Sequence, residues 1–171
     1  QKLNERYLTF GNCIEQSCIT MERPFYLKHA YTQGMMLGLL LKQNIDSPAE
    51  KIKIYNYWAT YCRQCIKEMP YFEQISQEYK DKVEVYFVCL DFVEDLEGKV
   101  KPFLAKREIR NPVILLDDID YNSWINRINP DWSGAIPATD YILPESGQRF
   151  FHEGGYEKEE LVDQIEYLIN K

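Results

Sequence analysis

The pattern of hydrophobic and polar residues changes character near residue 50. Over residues 51–59 a period of two places Ile52, Ile54, Asn56 and Trp58 on one face, which predicts a strand. Residues 83–90 are almost continuously apolar and rich in β-branched and aromatic types, which predicts a central strand covered on both faces. Three shorter strand-like runs follow, at residues 113–116, 139–143 and 148–152, and a Pro-Glu-Ser-Gly turn joins the last two.

Helical periodicity fills the gaps between these strands. Over residues 62–79 apolar positions fall three or four apart, which predicts one amphipathic helix. A short helix from about Pro102, a helix over residues 121–128 and a final helix over residues 157–170 are predicted further along. The order βαβαβ, a helical insert and ββα indicates an α/β fold: a central mixed sheet, with a parallel βαβ half and an antiparallel hairpin, flanked by helices.

The first 50 residues lack this alternation. Residues 7–10 and 18–21 are predicted to pair as a hairpin around Gly11-Asn12, and residues 24–44 have helical character. The segment Asp46-Ser47-Pro48 is the predicted linker to the first strong strand.

This division predicts two parts of unequal size. An N-terminal extension, residues 1–48, consists of the hairpin and helix and packs on a main domain, residues 49–171. A chain of 171 residues suits one domain with an appended segment, and it can bury an ordinary core without disulfides or metals.

The charge balance narrows the range of partners. A net charge of −7 disfavours nucleic acid and anionic membrane surfaces, because both require clustered Lys and Arg. No apolar run approaches the roughly 18 residues of a bilayer-spanning helix, so no membrane span is expected in this chain. The chain begins at Gln1 without a signal segment, which we interpret as a mature or trimmed form.

Five cysteines leave room for two local pairs and one single thiol: Cys13, Cys18, Cys62, Cys65 and Cys89. They are too few for a disulfide-dense scaffold. Cys89 lies within a predicted strand and is interpreted as a small buried hydrophobe. For Cys13 and Cys18, a structural disulfide that closes the hairpin, free thiols and a second redox pair all remain open.

The Cys62-x-x-Cys65 pair is the strongest chemical signal, because it opens a predicted helix directly after a strand. Unpaired N–H groups and the helix dipole lower the pKa of Cys62, whereas Cys65 lies deeper and stays protonated longer. Cys62 would therefore attack a substrate disulfide, and Cys65 would resolve the mixed disulfide. A zinc site needs two more ligands, which Cys13 and Cys18 could supply only at an unusual spacing, so no metal is expected.

Two separated motifs resemble one family. Residues 58–70 (WATYCRQCIKEMP) resemble the active-site signature of the TlpA/ResA-like branch of the thioredoxin superfamily, thiol–disulfide oxidoreductases of the bacterial cell envelope. Residues 134–139 (GAIPAT) resemble the family's cis-proline segment, which faces the cysteine pair. The resemblance covers residues 51–170. It implies a thioredoxin-like fold, no cofactor and a periplasmic or cell-envelope location after export.

The resemblance also implies partners and a substrate-binding loop. The partners would be client protein thiols or disulfides and an upstream redox protein. Pro137 would be the cis-proline, and the Ile136 backbone would hydrogen-bond an extended substrate. Trp58 and Tyr61, which precede the cysteines, are further candidate substrate-binding residues, with Trp58 packing beneath the site.

Glu68 is the third candidate catalytic residue beside Cys62 and Cys65, because it also matches the family pattern. Thioredoxin carries a buried Asp six residues before its first active-site cysteine, whereas this chain has Asn56 there. An amide cannot titrate, so proton transfer around Cys65 would fall to Glu68, one helical turn further on.

Some residues depart from the family pattern and keep other functions open. The Arg63-Gln64 dipeptide lacks the proline that relatives often carry, so no reduction potential is carried over, and Asp140 replaces a usually apolar residue. The predicted function is reduction or exchange of protein disulfides. The alternatives are a Cu(I)-binding, metallochaperone-like protein and a non-catalytic thioredoxin-fold binding module. A peroxidase is disfavoured because Ala59 stands where peroxiredoxins need threonine.

Overall fold

A computed structural model describes residues 51–116, 121–144 and 146–171, together with the backbone of three strands in residues 5–9, 15–20 and 23–27. The strands are β1 Glu5–Thr9, β2 Glu15–Thr20, β3 Arg23–Leu27, β4 Ile52–Trp58, β5 Val83–Cys89, β6 Val113–Leu115, β7 Ala138–Ile142 and β8 Arg149–Glu153. The α-helices are α1 Arg63–Glu78, α2 Lys101–Lys106, α3 Tyr121–Ile128 and α4 Lys158–Ile169, and a π-helical turn, Leu96–Val100, precedes α2. The predicted order of elements is confirmed.

Strands β4 to β8 form a mixed five-stranded sheet in the order β6-β5-β4-β7-β8. Strands β6, β5 and β4 are parallel, and Trp58 pairs with Cys89 at their carboxyl ends. Strand β7 runs antiparallel to β4, with Ala138 opposite both Tyr57 and Glu153 of β8. The carboxyl ends of β4, β5, β6 and β8 and the start of β7 therefore lie at one end of the sheet, which we call the upper end.

The N-terminal strands continue this sheet beyond β6. Strand β1 pairs antiparallel with β2, with Tyr7 opposite Cys18. The two strands begin two and three residues earlier than the predicted hairpin strands, residues 7–10 and 18–21. Strand β3 pairs antiparallel with β2, and Tyr26 of β3 pairs parallel with Leu115 of β6. The prediction of helical character is wrong for residues 24–27, which lie in β3: Pro24 cannot donate a helical hydrogen bond, and Phe and Tyr favour strands.

Several N-terminal predictions fall outside the described residues. These are the Gly11-Asn12 turn, the helical character of residues 28–44 and the Asp46-Ser47-Pro48 linker. The division into an extension of residues 1–48 and a domain of residues 49–171 therefore stays a prediction.

Alternation along β4 sends side chains to two separate cores. Ile52, Ile54 and Trp58 pack on the face that α1 and α4 cover, together with Phe72 and Leu161. Tyr55 and Tyr57 point to the other face, where they join the buried tryptophans Trp124 and Trp132. Because both faces are covered, a β-strand here can carry apolar side chains on every position, as predicted for β5.

The helices pack on the sheet through their apolar faces. Helix α1 buries Met69, Phe72 and Ile75 and stays continuous across Pro70. Helix α4 begins where the Glu157 N–H donates to Glu160 Oε2 at 3.1 Å. Within the described ranges, no helix has the length and apolarity that crossing a bilayer requires.

Candidate active site

The cysteine pair lies at the upper end of the sheet, where α1 begins. Cys62 is the residue that caps α1, and a disulfide joins it to Cys65 with Cα atoms 5.3 Å apart. The Cys65 backbone N–H donates to Cys62 Sγ at 3.2 Å. Cys62 is partly exposed and Cys65 is fully buried, so a client can reach only the Cys62 sulfur. After reduction, the same N–H and the helix dipole stabilise a Cys62 thiolate.

The loop before β7 lies directly against this sulfur. The Ile136–Pro137 peptide bond is cis, as the resemblance implies. The Ile136 carbonyl oxygen is 3.7 Å from Cys62 Sγ, and Pro137 is buried. Gly154 supports the loop from the end of β8, because its N–H donates to the Pro137 carbonyl at 2.9 Å. The structure thus brings Ile136 and Pro137 together with the cysteine pair.

Glu68 forms a buried proton-binding group beneath the pair. Asn56 Nδ2 donates to Glu68 Oε1 at 2.8 Å, and the Tyr156 backbone N–H donates to Glu68 Oε2 at 2.7 Å. Asn56 Nδ2 also donates to Thr139 Oγ1 at 3.1 Å. Burial raises the pKa of Glu68 to about 7, although both donors oppose the rise. Glu68 lies one turn after Cys65 on the buried side of α1, and its carboxyl can exchange a proton near neutral pH.

A second buried carboxylate, Asp91, holds the segment that leads into Cys62. Thr60 donates to it twice, from its backbone N–H at 2.7 Å and from its hydroxyl at 2.5 Å. Lys99 Nζ and the Cys89 thiol donate to it at 3.1 and 3.3 Å. Burial alone would raise the pKa of Asp91, but Thr60, and then Lys99, outweigh burial and lower it. Asp91 therefore stays ionised and fixes Thr60 two residues before Cys62.

Trp58 and Tyr61 differ sharply in accessibility. Trp58 is fully buried and its ring stacks on Phe103 with centroids 5.4 Å apart, so it packs beneath the site as predicted. Tyr61 is 66% exposed, and Lys99 Nζ lies 5.8 Å from the centre of its ring. Of these two candidate substrate-binding residues, only Tyr61 is available on the surface.

The remaining cysteines, histidines and buried charges have structural contacts or lie outside the described residues. Cys89 is buried, as predicted, and donates to Asp91. Asp140 is buried and accepts from Arg149 Nε of β8 at 3.2 Å, which explains how a charge is tolerated there. His152 stacks on Tyr156. His29, Cys13 and the side-chain contacts of Cys18 lie outside the described residues, which hold no group of three or more His, Cys, Asp or Glu suited to a metal.

Sequence reasoning missed Asp91, Thr60 and Tyr156 as parts of the site. A signal for Asp91 was available, since it is a charged residue just past the carboxyl end of a buried parallel strand. Functional groups of α/β sheets gather at that end. Tyr156 offers no such signal, because it contributes only its backbone N–H.

The fold and the site together define a thioredoxin-type thiol–disulfide oxidoreductase: a Cys-x-x-Cys disulfide at a helix start, faced by a cis-proline loop. Over 126 residues the chain is 30% identical to the thioredoxin-like protein YneN of Bacillus subtilis. This aligned region covers 73% of this chain and 69% of YneN. Over 117 residues it is 35% identical to the thiol-disulfide oxidoreductase ResA of Bacillus thuringiensis. That aligned region covers 68% of this chain and 60% of ResA.

Comparison with solved structures supports the same fold. The thioredoxin-related protein of Neisseria meningitidis serogroup B superposes with a TM-score of 0.61 at 23% identity, covering 75% of this chain and 93% of that one, which shows the same fold. No protein-family model matches the chain. The chain belongs to the thioredoxin-like family that includes YneN and ResA. It spans less than two thirds of the length of that ResA.

Proposed function

We propose that this protein reduces, or exchanges, disulfides of client proteins in the bacterial cell envelope. The observation that carries the proposal is the asymmetric disulfide at the start of α1, with Cys62 partly exposed and Cys65 fully buried. An attacking thiol and a protected resolving thiol are what a two-step exchange requires. The envelope location rests on the kinship with ResA and on the resemblance of residues 58–70 to envelope oxidoreductases.

The reaction begins with both cysteines reduced. The Cys62 thiolate attacks one sulfur of the client disulfide, forms a mixed disulfide and releases the other client sulfur as a thiolate. The Cys65 thiolate then attacks Cys62 Sγ and expels the second client sulfur. The client gains two electrons and two protons, and the protein is left with the Cys62–Cys65 disulfide. An upstream dithiol returns it to the reduced form.

Glu68 removes the proton that Cys65 must lose before it attacks. Cys65 is fully buried, so bulk water does not reach its thiol. The Glu68 carboxyl, one helical turn away and with a pKa raised to about 7 by burial, is half ionised near neutral pH. Asn56 and the Tyr156 N–H hold it in place. Ile136, whose carbonyl lies beside Cys62, offers its backbone to an extended client segment.

The test is reduction of insulin by dithiothreitol in the presence of the protein. Cys62→Ser should abolish the acceleration, because it removes the attacking sulfur. Cys65→Ser, reduced and then freed of dithiothreitol before insulin is added, should accumulate a mixed disulfide that is visible as a mass increase. Cys89→Ser is the matched control, since it removes a thiol outside the pair and keeps a donor for Asp91, and it should retain activity. Insulin reduction by Cys62→Ser at the wild-type rate would refute the proposal.

The direction of exchange is tested separately by the reduction potential of the pair, titrated against a glutathione or dithiothreitol buffer. A value near or below about −250 mV supports a reductant, as proposed. A value above roughly −150 mV would identify an oxidant and overturn the proposed direction.

A further inference from the structure

Exposed aromatic side chains gather at the upper end of the sheet. Four large hydrophobic residues of the described part are well exposed: Tyr61 at 66%, Phe92 at 53%, Tyr121 at 42% and Tyr167 at 57%. Three of these follow the carboxyl ends of the adjacent parallel strands β4, β5 and β6, whereas Tyr167 belongs to α4. We call Tyr61, Phe92 and Tyr121 the aromatic strip.

The strip runs to one side of the reactive sulfur. Cys62 follows β4, and the Ile136–Pro137 loop leads into β7 on the opposite side of β4 from β5 and β6. The aromatic strip therefore follows strands on one side of Cys62, and Pro137 lies on the other side. A client segment bound across this end would contact the cis-proline loop with the residues on one side of its cysteine. The residues on the other side of that cysteine would contact the aromatic strip.

Hydrogen bonds hold the strip in position. Thr60 donates two hydrogen bonds to Asp91. Tyr61 directly follows Thr60 in the chain, and Phe92 directly follows Asp91. The backbone that carries Tyr61 and the backbone that carries Phe92 are thus tied together at the neighbouring residues before any client arrives. Partial burial, and next the Tyr121 hydroxyl, raise the pKa of Tyr61, which fits the closeness of the two tyrosines. A prearranged surface loses little conformational entropy on binding.

The charges near the strip favour an apolar partner over an acidic one. Lys99, which lies over the Tyr61 ring, is paired with Asp91 at 3.1 Å and with Asp95 at 3.4 Å. Its charge is therefore matched by two carboxylates. Exposed aromatic rings without a surplus of positive charge attract apolar side chains.

We propose that the aromatic strip binds apolar side chains of the client, close to its reactive cysteine and on the flank that faces away from Pro137. This inference rests on the proposed function and names the class of client segment that the site prefers. Neighbouring strands lie about 4.8 Å apart, so the distance from β4 to β6 is about 10 Å. An extended chain covers that distance in about three residues. The preference should therefore concern the three positions beside the client cysteine, on one flank only.

The test uses three short peptides, each a dimer linked through one cysteine disulfide. The first carries Leu and Phe two and three positions before the cysteine, the second carries them after it, and the third has serine on both flanks. The rate constant for reduction of each peptide by the reduced protein is measured as thiol release. Wild type, Phe92→Ser and Tyr121→Ser are compared with Tyr167→Ser, which removes an equally exposed aromatic ring from α4.

We expect one apolar peptide, and not the other, to react about tenfold faster than the serine peptide. Phe92→Ser and Tyr121→Ser should each reduce this ratio to within about threefold of unity, and Tyr167→Ser should retain it. Equal rates for all three peptides in wild type would overturn the inference while the proposed function stands. The same holds if Phe92→Ser and Tyr121→Ser slow every peptide alike. Failure to reduce any peptide or oxidised glutathione would overturn both.

Discussion

Glu68 and Asp91 are both buried carboxylates at the upper end of the sheet, yet they hold their protons very differently. Glu68 accepts from two neutral donors, Asn56 and the Tyr156 N–H, and burial raises its pKa to about 7. Asp91 accepts from four donors that include the Lys99 ammonium, and these outweigh burial and lower its pKa. Burial alone therefore does not decide the ionisation of a carboxylate; the number and charge of its donors do.

This difference suits two separate tasks. A carboxyl that titrates near pH 7 can take a proton from Cys65, as we propose for Glu68. A carboxylate that stays ionised provides a permanent acceptor, as Asp91 does for Thr60. Removing the charge of each carboxylate in turn, in Glu68→Gln and Asp91→Asn, separates the two tasks.

The largest expected effect is on the pH dependence of stability. The folded protein keeps the Glu68 proton up to a pKa of about 7, whereas the unfolded chain loses it near 4.5. Stability from this group is therefore present below about pH 4.5 and lost as pH rises through 7, by roughly 3 kcal/mol. In Glu68→Gln this fall in the free energy of unfolding, measured by urea titration of the oxidised protein, should be absent. Identical pH profiles for both proteins would contradict the assigned pKa.

Asp91 contributes a pH dependence of stability with the opposite sign. Its folded pKa is lowered from 3.8, so its stabilisation is present above that pH and is lost as pH falls through the folded pKa. Asp91→Asn should remove pH dependence only on the acid side and leave the region between pH 5 and 7 unchanged. Glu78→Gln, an exposed substitution on α1, serves as control for the change of net charge.

The next effect is kinetic. Glu68→Gln should slow the release of the client by Cys65 about a hundredfold at pH 7, because the buried thiol loses its proton acceptor. The measurement is the lifetime of the mixed disulfide as a function of pH, which in wild type should show an inflection near 7. Asp91→Asn should keep that inflection. An inflection that persists in Glu68→Gln would assign the proton transfer to another group.

A smaller effect concerns the Asp91 cluster itself. Asp91→Asn should lower the free energy of unfolding by about 2 kcal/mol, because an amide cannot accept from all four donors and leaves Lys99 without its buried partner. Asp95→Asn removes the more exposed partner of Lys99 and should change stability by less than about 0.5 kcal/mol. Equal effects of the two substitutions, in chemical denaturation at pH 7, would show that Asp91 has no special role.

The smallest effect isolates one hydrogen bond. Thr60→Val keeps the shape of the side chain but removes the hydroxyl that donates to Asp91, and it should destabilise the protein by about 1 kcal/mol. Thr60→Ser keeps the hydroxyl and should recover most of that loss. Equal destabilisation by valine and serine would assign the effect to packing of the methyl group instead.

Much of this arrangement could be predicted from the sequence, because its determinants are local. A period-two pattern predicted β4, an almost continuous apolar run predicted β5, and periods of three to four residues predicted α1, α3 and α4. The two cysteines and Glu68 lie within seven residues of one helix start, and residues 134–139 carry a recognisable motif.

The rest depends on contacts between distant residues. Thr60 and Asp91 are 31 positions apart, and their hydrogen bonds follow from the pairing of Trp58 with Cys89. No local pattern encodes that register. The prediction of helical character for residues 24–27 is wrong for a related reason. A short apolar run fits the period of a helix or of a strand, and pairing with β6 decides in favour of the strand.

The turn after β8 supports both the cis-proline loop and the Glu68 carboxyl. Gly154, whose φ of 122° suits only glycine, donates its N–H to Pro137, and two residues later the Tyr156 N–H donates to Glu68. Only two residues, Gly154 and Gly155, carry the chain from one donor to the other, so both hydrogen bonds depend on the same short turn. A change in the backbone of this turn would therefore act on the cis-proline loop and on the Glu68 carboxyl together.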